Sequence, residues 1–373
     1  MAEAQKKGLE DVIAGESAIC FIDGREGRLI YRGYDIHDLV QGSFEEAAYL
    51  LLNGDLPTKS QLDEFTAQLR AEAHLPREIV GQMMSLPADS SGMEALRGVV
   101  SSLSFFDADR NDNSREANYR KAIRLLAKTP IIVALIERIR TGGDIHMPRP
   151  DLSIAGNFLW MLLGTEASAE HVRMFDTALI LHADHEFNAS TFTARVIAAT
   201  LSDMYSAVVG AIGALKGPLH GGANEQVMRM LLQIHDPEKA QNWIADALAN
   251  KKKIMGFGHR VYRTEDPRAT HLRKMSEALG KETGQTQWYA MSRTIEQYVL
   301  AEKGLYPNVD FYSASAYYMM GIPIDLFTPI FAMSRMAGWT AHIIEQQADN
   351  RLIRPAADYT GKIDLTYTPV DAR

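Results

Sequence analysis

The sequence predicts a mostly α-helical fold, and three observations carry that prediction. Apolar residues recur at helical spacings over most of the chain, few stretches alternate apolar with polar residues, and turn residues end several of the helical stretches. With 373 residues, the chain is long enough for two domains or for one large helical domain with a smaller partner. We therefore expect an all-α protein with ample chain for a hydrophobic core.

The first element predicted along the chain is a short hairpin, because the apolar runs AICFID and RLIYRG flank the turn-rich GREG. Next, SFEEAAYLLLNG predicts a helix that begins with a capping box of Ser43 and Glu46 and ends at Gly54. The helices on either side of Ala189 are poor in charge, which indicates burial on most sides. The other helical stretches are SQLDEFTAQLRAEAHLP, MEALRGVVSSLSFF, ANYRKAIRLLAKTPIIVALIERIRTGG, LSIAGNFLWMLLG, AEHVRMFDTALILHADHE, ASTFTARVIAATLSDMYSAVVGAIGALKG and SRTIEQYVLAEKG.

Composition argues against several classes of protein. No window approaches the run of about eighteen apolar residues that spans a bilayer, and the first residues lack the apolar core of a secretory signal. The single cysteine, Cys20, excludes an intramolecular disulfide framework and a Cys-rich zinc site. A net charge of -8 disfavours non-specific nucleic-acid binding, and neither a Walker A loop nor a G-x-G-x-x-G motif occurs. We expect a cytoplasmic protein with no membrane or nucleic-acid partner.

Two segments place histidines beside turn residues. LHADHEFNAS carries His182 and His185, but the order H-x-x-H-E matches neither H-E-x-x-H nor H-x-x-E-H, so a structural histidine pair competes with a metal site. LKGPLHGGANEQV surrounds His220 with glycines just before a helix start. The helix dipole there favours a neutral imidazole that donates a hydrogen bond to a carbonyl oxygen. A capped loop with an incidental histidine is the alternative.

A third segment, MGFGHRVYRTEDPRA, concentrates positive charge in an acidic chain. His259 follows two glycines, and Arg263 and Arg268 come after it. Because the planar guanidinium of arginine suits carboxylates and phosphates, the cluster predicts a local anion site. The alternative is a solvated basic loop that is neutralised by Glu265 and Asp266.

Two further charges stand in apolar surroundings. Asp310 lies between Val309 and Phe311, where burial raises the pKa of a carboxyl group and sharpens its basicity, although a helix N-cap is the alternative. Arg335 lies inside an apolar helix, which calls for an anionic partner. Together these segments supply histidines, arginines and one aspartate in apolar surroundings, and the chain has no nucleotide-binding loop. This combination favours a site that holds a polycarboxylate, polarises a carbonyl group and removes a proton. Such a site fits carbon–carbon bond formation through an enol.

These motifs resemble, in order, those of the citrate synthase family. The matching stretches are GLEDVIAGESAICFIDG, YRGYDIHDL, LHGGANEQV, GFGHRVYRTEDPRA, NVDFYSASAYYMMGIP and LFTPIFAMSRMAGWTAHIIEQ, and the likeness covers nearly the whole chain. It implies an acyltransferase that condenses acetyl-CoA with oxaloacetate and hydrolyses citryl-CoA to citrate and CoA, the entry step of the tricarboxylic acid cycle. It also implies no metal and no cofactor, because the coenzyme A thioester is a substrate.

The resemblance also implies a role for each site residue. Asp310 would remove a proton from the acetyl methyl group, His220 would donate a hydrogen bond to the thioester oxygen, and His259 would polarise and protonate the oxaloacetate carbonyl. The implied oxaloacetate ligands are His185, Arg268, Arg335 and Arg354, the last from the neighbouring subunit. The implied CoA contacts are Arg263 at a phosphate and, near the adenine, Met255, Gly256, Phe257 and Gly258.

The family's fold is all-α, with the active site in the cleft between two helical domains. The resemblance implies a dimer-forming large domain of residues 1–221 and 322–373 and a small domain of residues 222–321 that closes over oxaloacetate. A homodimer follows if Arg354 acts across subunits. The chain's start resembles the short form of the family, so we expect no inhibition by NADH. Ala356 departs from the family pattern, because many relatives place a basic residue after the RP dipeptide.

Three alternatives stay open. The nearest is 2-methylcitrate synthase, which shares the catalytic residues and uses propionyl-CoA; one methylene group typically discriminates by only about 1–3 kcal/mol. A second is a metal-dependent hydrolase that uses His182, His185 and His220. The third is a helical scaffold or ligand sensor without catalytic activity.

Overall fold

The protein is described by a computed structural model that covers residues 7–9 and 12–373. Three short antiparallel strands open this part of the chain, in the order β1 (Cys20–Asp23), β2 (Arg28–Tyr31) and β3 (Tyr34–Asp35). Strand β1 pairs with β2 in the register Cys20 to Tyr31, which confirms the predicted hairpin. The third strand was not predicted.

Apart from these strands, the regular secondary structure of the described residues is helical, which confirms the predicted all-α class. Short 3-10 helices lie at Lys7–Leu9, Ser104–Phe106, Ile324–Leu326 and Val370–Ala372. The α-helices are α1 Ile36–Leu39, α2 Phe44–Asn53, α3 Lys59–Glu72, α4 Arg77–Met84, α5 Gly92–Leu103, α6 Arg115–Arg140, α7 Ile154–Leu163, α8 Ala169–His182, α9 Ala189–Ala198, α10 Met204–Leu215, α11 Ala223–Ile234, α12 Pro237–Ala249, α13 Pro267–Glu282, α14 Thr286–Lys303, α15 Val309–Met319 and α16 Phe327–Ala348.

Local sequence signals explain several helix ends. Helix α2 has the predicted capping box of Ser43 and Glu46, and Gly54 ends it with a left-handed φ of 99°. The stretch from Ala189 to Gly217 was predicted as one helical stretch but contains two helices. It breaks where Leu201 adopts a φ of 65° and Asp203 caps α10.

Helix α16 lies at the centre of the molecule. Nearly every residue from Phe327 to Ile343 is buried, because the helix packs against α6, α9, α10, α2 and α8. Arg335 and His342 therefore lie in the core rather than on a solvated face. This central helix is the scaffold on which the other predicted site segments converge.

Helices α11 to α15 pack chiefly against one another, and they occupy residues 222–321. The two-domain boundary stays a prediction. Within the described residues, no helix is both long enough and apolar enough to cross a membrane.

Candidate active site

The predicted site residues come from separate places along the chain. His185 lies between α8 and α9, His220 lies between α10 and α11, and His259 lies between α12 and α13. Asp310 lies in the first turn of α15, and Arg335 lies in the middle of α16.

The structure brings His185 and His259 together, with their ring centroids 5.1 Å apart. The Nδ1 atom of His259 accepts hydrogen bonds from the backbone N–H groups of Val261, at 3.0 Å, and Tyr262, at 3.3 Å. A neutral imidazole whose Nδ1 accepts carries its proton on Nε2. His259 therefore has a donor nitrogen available for a carbonyl oxygen.

His220 sits in the predicted glycine turn. A Cβ atom on Gly221 would lie 2.7 Å from the main-chain oxygen of Leu215, so that position requires glycine. The Nε2 atom of His220 lies 2.8 Å from the Ser190 hydroxyl and accepts from the Ser190 backbone N–H at 3.3 Å. This arrangement favours a neutral imidazole with its proton on Nδ1.

Ser190 is a site residue that the sequence analysis missed. It is fully buried, and its hydroxyl lies within hydrogen-bond distance of Asn188 at 2.8 Å and Trp339 at 3.2 Å as well as of His220. A serine at the start of α9 predicts a helix end and nothing more, so only the fold reveals this contact.

Arg268 forms a bidentate pair with Asp266. Its Nε and Nη2 atoms donate to the two carboxylate oxygens at 2.9 Å and 2.8 Å, and only 2% of Arg268 and 1% of Asp266 is exposed. Glu265 pairs instead with Arg273. The alternative of a solvated loop neutralised by Glu265 and Asp266 is therefore wrong for Arg268, because the pair is buried.

Arg335 is buried in a different way. Its Nε atom donates to the carbonyl oxygen of His182 at 2.6 Å. No described residue forms a hydrogen bond with its Nη1 or Nη2 atom, although only 1% of the residue is exposed. Burial lowers the pKa of Arg335 to about 10, opposed by the nearby Asp184 carboxylate. A buried guanidinium with two free nitrogens calls for an anionic ligand.

Asp310 is the buried carboxyl group of the cluster. Asn308, not Asp310, is the N-cap of α15, so the N-cap alternative is wrong. Burial raises the pKa of Asp310 to about 7, and the positive charge of Arg268 opposes the shift. Among the described residues its Oδ1 atom has no hydrogen-bond partner. A carboxyl group of this kind is suited to general-base chemistry near neutral pH.

The three histidines are shifted in the opposite direction. Burial lowers the pKa of His220 and His259 to about 4, and the positive charge of Arg335 acts on the first and that of Arg268 on the second. The pKa of His185 is also lowered, by burial and then by Arg268. At neutral pH the site therefore holds neutral imidazoles, which donate or accept single hydrogen bonds.

The segment from Met255 to Gly258 lies against the start of α15. Gly256 has a φ of 82°, and a Cβ atom there would lie 2.9 Å from the ring of Phe311. The rings of Phe257 and Phe311 have centroids 4.6 Å apart. The backbone that is predicted to lie near the adenine of coenzyme A therefore packs against α15, the helix that contains Asp310.

Two predicted residues are exposed, unlike the buried residues of this cluster. Arg263 is exposed, and its backbone N–H bonds to Gly24 in the hairpin turn at 2.7 Å. Arg354 is exposed in the segment that follows α16. Across residues 7–9 and 12–373, no group of three or more His, Cys, Asp and Glu side chains is arranged to hold a metal ion.

Comparison with known proteins gives a consistent family. Residues 8–356 match the family model described as "Citrate synthase, C-terminal domain". The chain is 52% identical to a citrate synthase of Haloferax volcanii, covering 100% of both chains, and 54% identical to citrate synthase 2 of Bacillus subtilis, covering 98% and 99%. It is 44% identical to 2-methylcitrate synthase 1 of Corynebacterium glutamicum, covering 100% of both.

Solved structures agree. The citrate synthase of Thermoplasma acidophilum, in a ternary complex with carboxymethyl coenzyme A and oxaloacetate, superposes with a TM-score of 0.92 at 35% identity, covering 98% of each chain. The enzyme of Pyrobaculum aerophilum superposes with a TM-score of 0.91 at 43% identity, covering 98% of this chain and 94% of that one.

Proposed function

The chain belongs to the citrate synthase family, and from that premise we propose that it condenses acetyl-CoA with oxaloacetate and hydrolyses citryl-CoA to citrate and CoA. The observation that carries the proposal is the pairing of a raised carboxyl pKa at Asp310 with lowered imidazole pKa values at His220 and His259. Acid and base groups whose pKa values are separated in this way suit proton transfer at neutral pH.

In the proposed first step, the Asp310 carboxylate removes a proton from the methyl group of acetyl-CoA. The electron pair of that C–H bond forms a C=C double bond, the carbonyl electron pair moves onto the thioester oxygen, and this enolate oxygen accepts a hydrogen bond from Nδ1 of His220. A donor aimed at a developing oxyanion typically contributes about 3–4 kcal/mol of transition-state stabilisation. The free Oδ1 atom of Asp310 and the assigned tautomer of His220 support these roles.

In the second step, the enolate carbon forms a bond to the carbonyl carbon of oxaloacetate, and Nε2 of His259 gives its proton to the carbonyl oxygen. Water then adds to the thioester of citryl-CoA and returns one proton to His259, while Asp310 gives the proton that it took from the methyl group to the departing thiolate. CoA and citrate leave, and both side chains regain their starting protonation states. We propose that His185, Arg268 and Arg335 bind the oxaloacetate carboxylates. The two free nitrogens of Arg335 support this assignment, because they match the two oxygens of one carboxylate.

The remaining contacts complete the proposal. Arg263 would bind a phosphate of coenzyme A, with the backbone of Met255, Gly256, Phe257 and Gly258 near the adenine. We propose no cofactor, because the coenzyme A thioester is a substrate. Closure of residues 222–321 over oxaloacetate would exclude water until condensation has occurred. A cytoplasmic homodimer in which Arg354 reaches the neighbouring site is part of the same proposal.

The alternative of a 2-methylcitrate synthase has one specific observation in its favour, the 44% identity to two such enzymes over 98–100% of each chain. We expect kcat/KM to be higher for acetyl-CoA than for propionyl-CoA, by about tenfold or more, because the added methylene must fit the acyl pocket. Steady-state kinetics with both thioesters and saturating oxaloacetate measure this ratio. A preference for propionyl-CoA would overturn the choice of substrate.

The same assay addresses the other two alternatives. Full activity after EDTA treatment is expected here, whereas a metal-dependent hydrolase loses activity when its metal is removed. A scaffold or sensor would form no citrate from either thioester.

A further inference from the structure

Residues along one face of α16 form hydrogen bonds with main-chain oxygens at the end of α8 and the start of the segment between α8 and α9. Nε of Arg335 donates to the carbonyl oxygen of His182 at 2.6 Å, and one turn later the N–H of Gly338 donates to that of Ala183 at 3.1 Å. A Cβ atom on Gly338 would lie 2.5 Å from the Ala183 oxygen. The segment therefore lies directly on the helix backbone, and it carries His185 next in the chain.

One turn further along the same face of α16, His342 lies against Asp184. Both residues are fully buried, and Nε2 of His342 lies 3.3 Å from each carboxylate oxygen. Although burial alone would raise the pKa of Asp184, the hydrogen bond from His342 and the positive charge of Arg335 hold it below its usual value. Asp184 is therefore an ionised group that needs a donor.

Arg195 determines which nitrogen of His342 carries the proton. Its Nη1 atom lies 3.0 Å from Nδ1 of His342. Because arginine only donates, Nδ1 accepts and the proton of the neutral ring is on Nε2, which faces Asp184. Nη1 also donates to Glu345 at 2.7 Å, so Arg195 is itself held in place. Arg195 therefore donates a hydrogen bond to His342, and His342 donates one to Asp184.

The Asp184 carboxylate connects the two residues that flank His185. Its Oδ2 atom accepts from the backbone N–H of Glu186 at 3.1 Å, so one side chain ties together the residues on both sides of His185. Glu186 has a φ of 54°, in the left-handed region that a residue with a side chain seldom occupies. That turn persists only when its surroundings hold it.

We propose that Asp184 and His342 are positioning residues for oxaloacetate recognition, which hold the turn after His185 and thereby place its imidazole beside the free nitrogens of Arg335. The inference rests on the proposed function, because it assigns His185 and Arg335 to oxaloacetate. Asp184 and His342 do not touch the substrate in this account. They act through the hydrogen bonds described above.

The test compares His342→Gln with His342→Met. Glutamine supplies an amide N–H for Asp184 and an amide oxygen for Arg195, whereas methionine fills the volume without either group. We expect His342→Met to lower kcat/KM for oxaloacetate between about tenfold and about 100-fold, mostly through KM, because small misplacements of a binding group cost that much. His342→Gln should stay within about threefold of the wild type. The KM for acetyl-CoA should be unchanged in both.

Thr340→Val is the matched control on the same helix. Thr340 is fully buried, and its hydroxyl bonds only to carbonyl groups of its own helix within the described chain. It should leave both KM values unchanged. Equal kinetics for wild type and His342→Met, or equal losses for Met and Gln, would overturn the proposal. If the wild type forms no citrate at all, the proposed function fails instead, so the two failures are distinguishable.

A second arm tests the contact from the other side and does not depend on His342→Met folding. Asp184→Asn keeps an acceptor oxygen, whereas Asp184→Ala removes both, so the alanine variant should have the larger KM for oxaloacetate. Isothermal titration with oxaloacetate alone provides a readout besides turnover. The His342→Met/Asp184→Ala double variant should be no worse than the poorer single variant, because both break one contact. Additive losses would contradict the proposal.

Discussion

Arg268 and Arg335 are both almost fully buried arginines of the same site, yet their surroundings differ. Arg268 donates two hydrogen bonds to Asp266, and its pKa stays above the usual range although burial opposes this. Arg335 donates one hydrogen bond to a main-chain oxygen, and burial lowers its pKa to about 10. One cation is paired with a carboxylate, and the other has two guanidinium nitrogens without a hydrogen-bond partner among the described residues.

This difference indicates how an acidic chain holds positive charge in a buried cluster. The Asp266 carboxylate fixes the direction of the Arg268 guanidinium and offsets the cost of burying it. Arg335 has no such partner in the described chain, and the acid whose charge acts on it most strongly, Asp184, is hydrogen-bonded to His342 instead. Within the described residues, the Arg335 guanidinium therefore has only a main-chain acceptor, the Phe331 ring and the more distant charge of Asp184 to offset its burial, so a bound anion should stabilise the folded protein.

The largest expected effect that separates the two arginines is on stability. Arg268→Met leaves Asp266 buried without a partner, which should cost about 3–5 kcal/mol in the free energy of unfolding. Arg335→Met removes a charge that is not paired with a carboxylate, so the ligand-free protein should lose less, about 1–2 kcal/mol for the broken hydrogen bond to the His182 carbonyl oxygen. Urea unfolding of the ligand-free variants at one protein concentration measures both values.

The control for this comparison is Arg120→Met, which removes an arginine that is half exposed and pairs with Asp109. Surface pairs contribute about 0–1 kcal/mol, so this variant should lie near the wild type. Equal destabilisation by Arg268→Met and Arg335→Met would show that the two buried cations are compensated alike, contrary to the geometry.

The next effect is on ligand affinity. Arg335→Met should weaken oxaloacetate binding by at least about 2 kcal/mol, or about 30-fold in Kd, because two charge-assisted hydrogen bonds are lost. In the wild type, oxaloacetate should raise the melting temperature, and in this variant the rise should be much smaller. Calorimetric titration and thermal unfolding with and without oxaloacetate measure these quantities. An undiminished rise in Arg335→Met would mean that the anion binds elsewhere.

Sequence patterns predicted the parts of this site that depend on residue type within one segment. His220 among glycines, Asp310 in an apolar run and Arg335 inside an apolar helix each carry an unusual local signal. The hairpin and the capping box of α2 were predicted for the same reason, since turns and caps are set by neighbouring residues.

Contacts between distant segments were beyond sequence patterns. Asp266 was correctly named as a neutralising acid, but its burial with Arg268 depends on how α13 packs. Ser190 meets His220 across 30 residues, and His342 meets Asp184 across 158. No local periodicity encodes such pairs, because they follow from tertiary packing.

The smallest expected effect is the pH dependence that the two cations impose through Asp310. Burial raises its pKa to about 7, and Arg268 and then Arg335 limit that rise. A general base acts in its ionised form, so kcat/KM for acetyl-CoA should be constant above the pKa and fall about tenfold per pH unit below it. The histidines should add no inflection near neutrality, because the pKa of His220 and His259 is about 4.

The variant Arg335→Met tests whether the positive charge of Arg335 contributes to the pKa of Asp310. Removing a positive charge near Asp310 should move the inflection to higher pH, measured on the residual activity at saturating oxaloacetate. The comparison variant is Asp310→Asn, which cannot ionise and should lower kcat about 100- to 10,000-fold at every pH. An inflection that stays in place in Arg335→Met would mean that the charge does not act on the base. An inflection that survives in Asp310→Asn would assign the titration to another group. The effect of Arg335 on the pKa of Asp310 would then not explain the pH dependence.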